Sequence, residues 1–163
     1  MKSSNRFALL ATVVASLSTL SSAAIAATAS GTATATVIAP ITITSTTPLN
    51  FGSFSNAAPG TVTIDTAGAR TSSGVLLSAV TPGARGVFTV GGSNTAGFSI
   101  TSPQGFSVTG PGTAMPFTLT LPGATGTLSA GAATINVGGV LTVGTTQTAG
   151  AYSGSYSVVV EYN

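Results

Sequence analysis

The chain is 163 residues long, 43% hydrophobic and only 4% charged, and it contains neither histidine nor cysteine. Its basic residues are Lys2, Arg6, Arg70 and Arg85 and its acidic ones Asp65 and Glu161, for a net charge of +2. Proton-transfer and covalent catalysis draw on His, Cys, Lys or paired carboxylates, and metal centres on clustered His, Cys or carboxylate ligands, so the composition predicts a non-enzyme with no cofactor and no metal.

Residues 1 to 26 have the three parts of a secretory signal. Lys2 and Arg6 open it, an apolar run from Phe7 to Leu20 is too short for a stable membrane-spanning helix, and Ala24-Ile25-Ala26 supplies a small-x-small cleavage pattern ending at Ala26. The chain is therefore expected to cross the inner membrane, pass through the periplasm and reach the cell surface or the medium. Removing those 26 of 163 residues leaves 137 and takes Lys2 and Arg6 with it, so the mature chain is neutral. Two arginines cannot build the clustered basic patch that nucleic acid requires, and no nucleic-acid partner is expected. A length of 137 suits one domain with a real core, held by packing and sheet hydrogen bonds because no disulfide can form. Near-zero net charge is poor for a free soluble monomer and costs less in a chain packed into an assembly.

The first element is an N-terminal strand within residues 27 to 45. Ala33, Ala35, Val37, Ala39, Ile41 and Ile43 take every odd position while threonine fills most even ones, the period of a strand with one buried face. Its partner is either the chain's own sheet or a groove on a neighbouring subunit. Ala33, Ala35, Val37 and Ala39 offer six side-chain carbons, or roughly 5 kcal/mol on burial, and Ile41 with Ile43 raises this to roughly 11 kcal/mol. A stable donated strand would thus need both isoleucines. Pro40 lacks a backbone donor and fits an edge, a bulge, or the hand-over from a donated segment to the subunit's own first strand.

Short apolar runs follow through the domain at residues 46 to 163. They span 49–54, 61–65, 75–80, 87–90, 98–101, 106–109, 117–121, 134–143 and 152–162, separated by Gly-, Pro- and Asn-containing turns. Such spacing predicts an all-β sandwich or barrel. Gly91-Gly92 and Gly138-Gly139 belong to no phosphate-binding pattern and read as hairpin turns. In "IDTAGAR" the Asp65 and Arg70 side chains are expected to close a turn by an exposed salt bridge, worth about 0 to 1 kcal/mol. The last strand sets Tyr152, Gly154, Tyr156, Val158, Val160 and Tyr162 on one face, and Tyr156, Val158 and Val160 should each contribute roughly 1.5 to 3 kcal/mol on burial.

Those two ends, a Thr-rich alternating N-terminus after a signal and a last strand with Tyr162 penultimate and Gly150 fourteenth from the end, resemble subunits of chaperone-usher pili. The stretches "ATVIAPITIT", "LNFGS", "GTVTIDTAGART" and "AGAYSGSYSVVVEYN" are similar to a bacterial domain-of-unknown-function family, number 4402, over nearly the whole mature chain. The resemblance implies an immunoglobulin-like Greek-key sandwich that lacks one strand. Its groove would be filled in a fibre by the N-terminal extension (Ala33, Ala35, Val37, Ala39, Ile41, Ile43) of a copy of itself or a related subunit, and during export by a periplasmic chaperone before an outer-membrane usher. Gly150, Tyr152, Tyr156, Val158, Val160 and Tyr162 would form the assembly strand. The cysteine pair of many pilins is missing here. The other reading is a monomeric secreted or surface β-sandwich binding module, for carbohydrate or adhesion; carbohydrate sites usually present exposed Trp or Tyr, and here there is no Trp and all three tyrosines lie on the last strand.

Overall fold

A computed structural model describes residues 25 to 145 and 147 to 163. The secretory signal therefore lies almost wholly outside the described residues, and Ala26 is an exposed residue of irregular chain. No described helix is long and apolar enough to cross a membrane. The described chain is all-β. Ten strands form: β1 Thr42–Thr47, β2 Gly60–Ile64, β3 Arg70–Ser73, β4 Gly86–Gly91, β5 Gly97–Thr101, β6 Phe106–Val108, β7 Met115–Thr120, β8 Thr125–Thr127, β9 Ala132–Val143 and β10 Val159–Tyr162.

All pairings are antiparallel, in two sheets that do not close into a barrel. The larger runs β1-β4-β9-β2-β3, with β7 on β9 and β6 on β7; the smaller runs β10-β5-β8. β9 organises the first. Its residues Ala132 to Val137 pair with β4, and the following residues pair with β7 through Gly138 to Leu141 and with β2 through Gly139 to Val143. Gly138-Gly139 is thus the point where a long strand changes neighbours, not a hairpin turn. A side chain at Gly138 would collide with the Ile64 carbonyl oxygen, and one at Gly139 with that of Thr118, so strands close in on β9 from both sides at a position only glycine permits. Gly91-Gly92 likewise leaves the end of β4 for a passage between sheets, since β4 and β5 belong to different ones.

The alternation of β4 and β9 places Phe88, Val90, Ile135 and Val137 on one face, packed against Phe98, Ile100, Leu128, Val158 and Val160 from the smaller sheet. This half is a complete two-layer sandwich of the expected class. The other half is built differently. Val62 and Ile64 of β2, Met115 and Phe117 of β7, and Leu141 and Val143 of β9 form a second buried cluster. It is covered by Phe51 and Val75 from irregular segments, with Tyr152 and Tyr156 at its edge. Tyr156 touches both clusters and meets Phe88, Phe106 and Phe117 edge-on.

Three other features differ from the sequence reading. The run 75–80 is a loop that leaves Leu76 73% and Val80 88% exposed, whereas the polar strand β3 carries too little apolar alternation to be legible. Residues 152 to 158 have the alternating burial of a strand but only an isolated bridge, Ser153 to Thr109. The turn after β2 is closed by the Asp65 carboxylate accepting from Ala69 N at 2.7 Å, and Arg70 points elsewhere, so no Asp65–Arg70 ion pair forms.

Candidate strand-accepting groove

Over the second cluster the covering layer parts. A groove of about 510 Å³ opens between residues 49–56 on one side and 147–156 on the other, with Val108, Met115, Phe117 and Leu141 in its floor. Its first wall follows directly on β1. Asn50 exchanges both backbone bonds with Ala84 at 2.8 Å, Ser53 N donates to Thr81 O at 2.9 Å, and Ser55 N donates to Leu76 O at 2.9 Å. Gly52, at φ +71° and jammed against the Thr81 carbonyl and Gly83 amide, permits the kink that turns Phe51 into the core, a conformation glycine adopts without strain.

Arg70 pins this wall. Its guanidinium donates to Ser78 O at 3.1 Å, to Thr81 O at 3.4 Å and to Ser53 O, which ties the wall to the loop behind it, while its Nε is buried without a partner. Burial pushes the Arg70 pKa down, and the three carbonyls keep the cation in place. Arg85 donates to Ala67 O at 2.6 Å and so holds the turn after β2.

The second wall is the beginning of the last strand. Ser153 exchanges both backbone bonds with Thr109, Ser157 O accepts from Ser102 Oγ at 2.8 Å, and Gly154 packs so closely on the Ser107 carbonyl that no side chain fits. Tyr152, Ser153, Gly154 and Tyr156 line the groove from this side. Gly150 sits on the rim at φ +149° against the Pro111 ring.

Two hydrogen bonds cross the opening. Leu49 N donates to Tyr156 Oη at 3.3 Å, and Asn56 Nδ2 donates to the Gln147 carbonyl at 2.8 Å. Gln147 is buried and donates from Nε2 to Thr113 O. Burial raises the Tyr156 pKa above its ordinary value, and the Leu49 amide partly opposes the shift.

The candidate donor residues divide at Ala39. Ala33, Ala35 and Val37 lie in exposed, irregular chain, with Val37 95% exposed. Ala39 is exposed but held: its amide donates to Ser93 Oγ at 2.9 Å and its carbonyl accepts from Tyr162 Oη at 2.8 Å. Ile41 and Ile43 pack on the first core cluster of the chain itself, Ile43 opposite Val90 in the β1–β4 ladder. The ladder begins at Thr42, just past Pro40. Of the last-strand residues, Val158 and Val160 are buried in the complete half, Tyr162 is half-buried beside it, and Gly150, Tyr152 and Tyr156 line the groove. Sequence reading missed Asn56 and Gln147 and gave Arg70 a turn-closing pair with Asp65 in place of its bonds to Ser53, Ser78 and Thr81; the interruption of Phe51-x-x-Phe54 by Gly52 was the signal that residues 49–56 are not a regular strand.

Among the described residues no group of three or more His, Cys, Asp or Glu could hold a metal ion. The family model described as a domain of unknown function (DUF4402) matches residues 41–162. The chain belongs to this family, and the matched span contains the whole sandwich and both walls of the groove. Comparison with curated proteins and with solved structures finds no match.

Proposed function

We propose that this chain is an exported, non-enzymatic structural subunit of a bacterial surface fibre, assembled by strand exchange. The observation that carries the reading is the groove: an apolar floor of Val108, Met115, Phe117 and Leu141 lying between two irregular segments, in a chain whose N-terminal extension is exposed and alternates apolar and threonine residues. Strand addition suits such a site because main-chain bonds supply affinity and alternate side chains set register. The extension of a second copy is the proposed occupant, and a periplasmic chaperone and outer-membrane usher are the proposed partners during export. A carbohydrate module is less well supported, because all three tyrosines are half-buried in the structure rather than displayed.

The position of Ile41 and Ile43 redefines the donor. With both on the chain's own core, only residues before Ala39 are free to be donated, and the side chains of Ala33, Ala35 and Val37 contribute at most roughly 4 kcal/mol. Backbone pairing must supply the rest. The test is to express the exported chain with and without residues 27–38, which leaves the Ala39 clamp intact, and to compare products by electron microscopy and unheated denaturing gels. Fibres or ladders from the complete form alone are expected; two equally stable monomers would refute strand exchange.

A further inference from the structure

The two hydrogen bonds across the groove lie at its two ends. Leu49 and Asn56 are seven residues apart on the first wall, which bends at Gly52, and their partners Tyr156 and Gln147 lie on the second wall. Both are made by side chains to backbone groups. A strand ladder on this wall would claim the Leu49 amide, which is already taken by Tyr156 Oη. An incoming strand at the other end meets the Asn56 side chain stretched to the Gln147 carbonyl. Gln147 cannot simply yield, because its own side chain is buried and bonded to Thr113 O.

Resting on the strand-exchange reading, we propose that Leu49–Tyr156 and Asn56–Gln147 are latches that tie the two walls of the groove together and must part before a strand is seated between them. On the extension of a second copy the segment free to enter is Gly31 to Val37, exposed and irregular before Ile38 and the clamped Ala39. Gly31, Ala33, Ala35 and Val37 then face inward, small enough to enter a groove whose floor already carries Met115 and Phe117. Tyr156 is the stop: its ring is packed among Phe88, Phe106 and Phe117, so the donated strand ends there and does not reach the complete half of the sandwich. The latches act as positioning groups. Only molecules with them open accept a strand, so the observed association rate scales with the open fraction.

The test uses a fluorescent synthetic peptide of residues 29–39 and the monomeric fraction of the exported chain, wild type and as Asn56→Ala, Asn56→Asp and Tyr156→Phe. Asn56 is exposed, so its variants should fold, and Asn56→Asp keeps the shape while removing the donor. Each variant should take up the peptide about twofold to tenfold faster than wild type, the range spanned by one net hydrogen bond, with an unchanged circular dichroism spectrum. Wild-type association rates in both Asn56 variants, with the peptide still bound, would overturn the latches and leave strand exchange standing. Absence of peptide binding by every form, wild type included, would overturn both.

Discussion

The hydroxyl of Tyr162, the penultimate residue, donates to the carbonyl of Ala39 at 2.8 Å and accepts from Ser93 N at 2.7 Å. One side chain at the end of the last strand thus fixes the place where the N-terminal extension leaves the body of the protein. Tyr162→Phe removes both bonds and leaves the ring packing. The expected loss is about 1 to 3 kcal/mol, since each of the two bonds contributes roughly 0.5 to 1.5 kcal/mol net. Urea denaturation measures it, and limited proteolysis should show faster cleavage just before Ile41. Unchanged stability and cleavage would mean that the β1 ladder alone holds the extension.

Arg70 joins Ser53 on the groove wall to Ser78 and Thr81 on the loop behind it. A lysine ammonium is a compact point charge and cannot reproduce a planar fork that serves several carbonyls. Arg70→Lys should therefore destabilise the fold by about 2 to 4 kcal/mol, close to the loss in Arg70→Ala, because hydrogen bonds to charged groups contribute about 1.5 to 3 kcal/mol each. Chemical denaturation of both variants checks this; a stable lysine form would show that charge, not fork geometry, holds the wall.

Tyr156 provides a pH signature. Burial raises its pKa in the folded chain, with the Leu49 amide working in the opposite sense, so the folded state keeps the phenol proton to higher pH than the unfolded chain. Its contribution to stability is fully present below the unfolded tyrosine pKa near 10 and declines as pH rises through that value toward the folded one. Denaturation midpoints should fall as the pH rises past about 10, and Tyr156→Phe should flatten the decline. A wild-type profile that is level across this range would contradict the burial effect.

Much of the sandwich was legible because β4, β5, β7 and β9 carry period-two alternation, and burial of Phe88, Phe98, Phe117 and Ile135 follows it. The alternation of the N-terminal stretch is real too, yet identical spacing gives Ile41 and Ile43 a place on the core and leaves Val37 in solvent. Period alone cannot say where a ladder starts; Pro40, with no amide to donate, marks that boundary. Gly138-Gly139 was opaque for a related reason. Glycine pairs signal turns when only the local chain is considered, and here the need for glycine comes from Ile64 and Thr118 on strands remote in sequence. Arg70 and Gln147 act through backbone carbonyls of distant loops, which no residue pattern advertises.

The run from the clamped Ala39 through β1 into residues 49–56 is continuous backbone, with the exit of the extension at one end and the groove wall at the other. Bonds of the antiparallel β1–β4 pair lie across the strand direction, so a pull along the extension loads them in shear, all at once, instead of peeling them singly. Tension arriving through a seated neighbour would pass down this one strand into the larger sheet. The same segment would then serve as tether, load-bearing strand and socket wall, and its mechanical strength would set how hard a string of such domains can be pulled before it gives way.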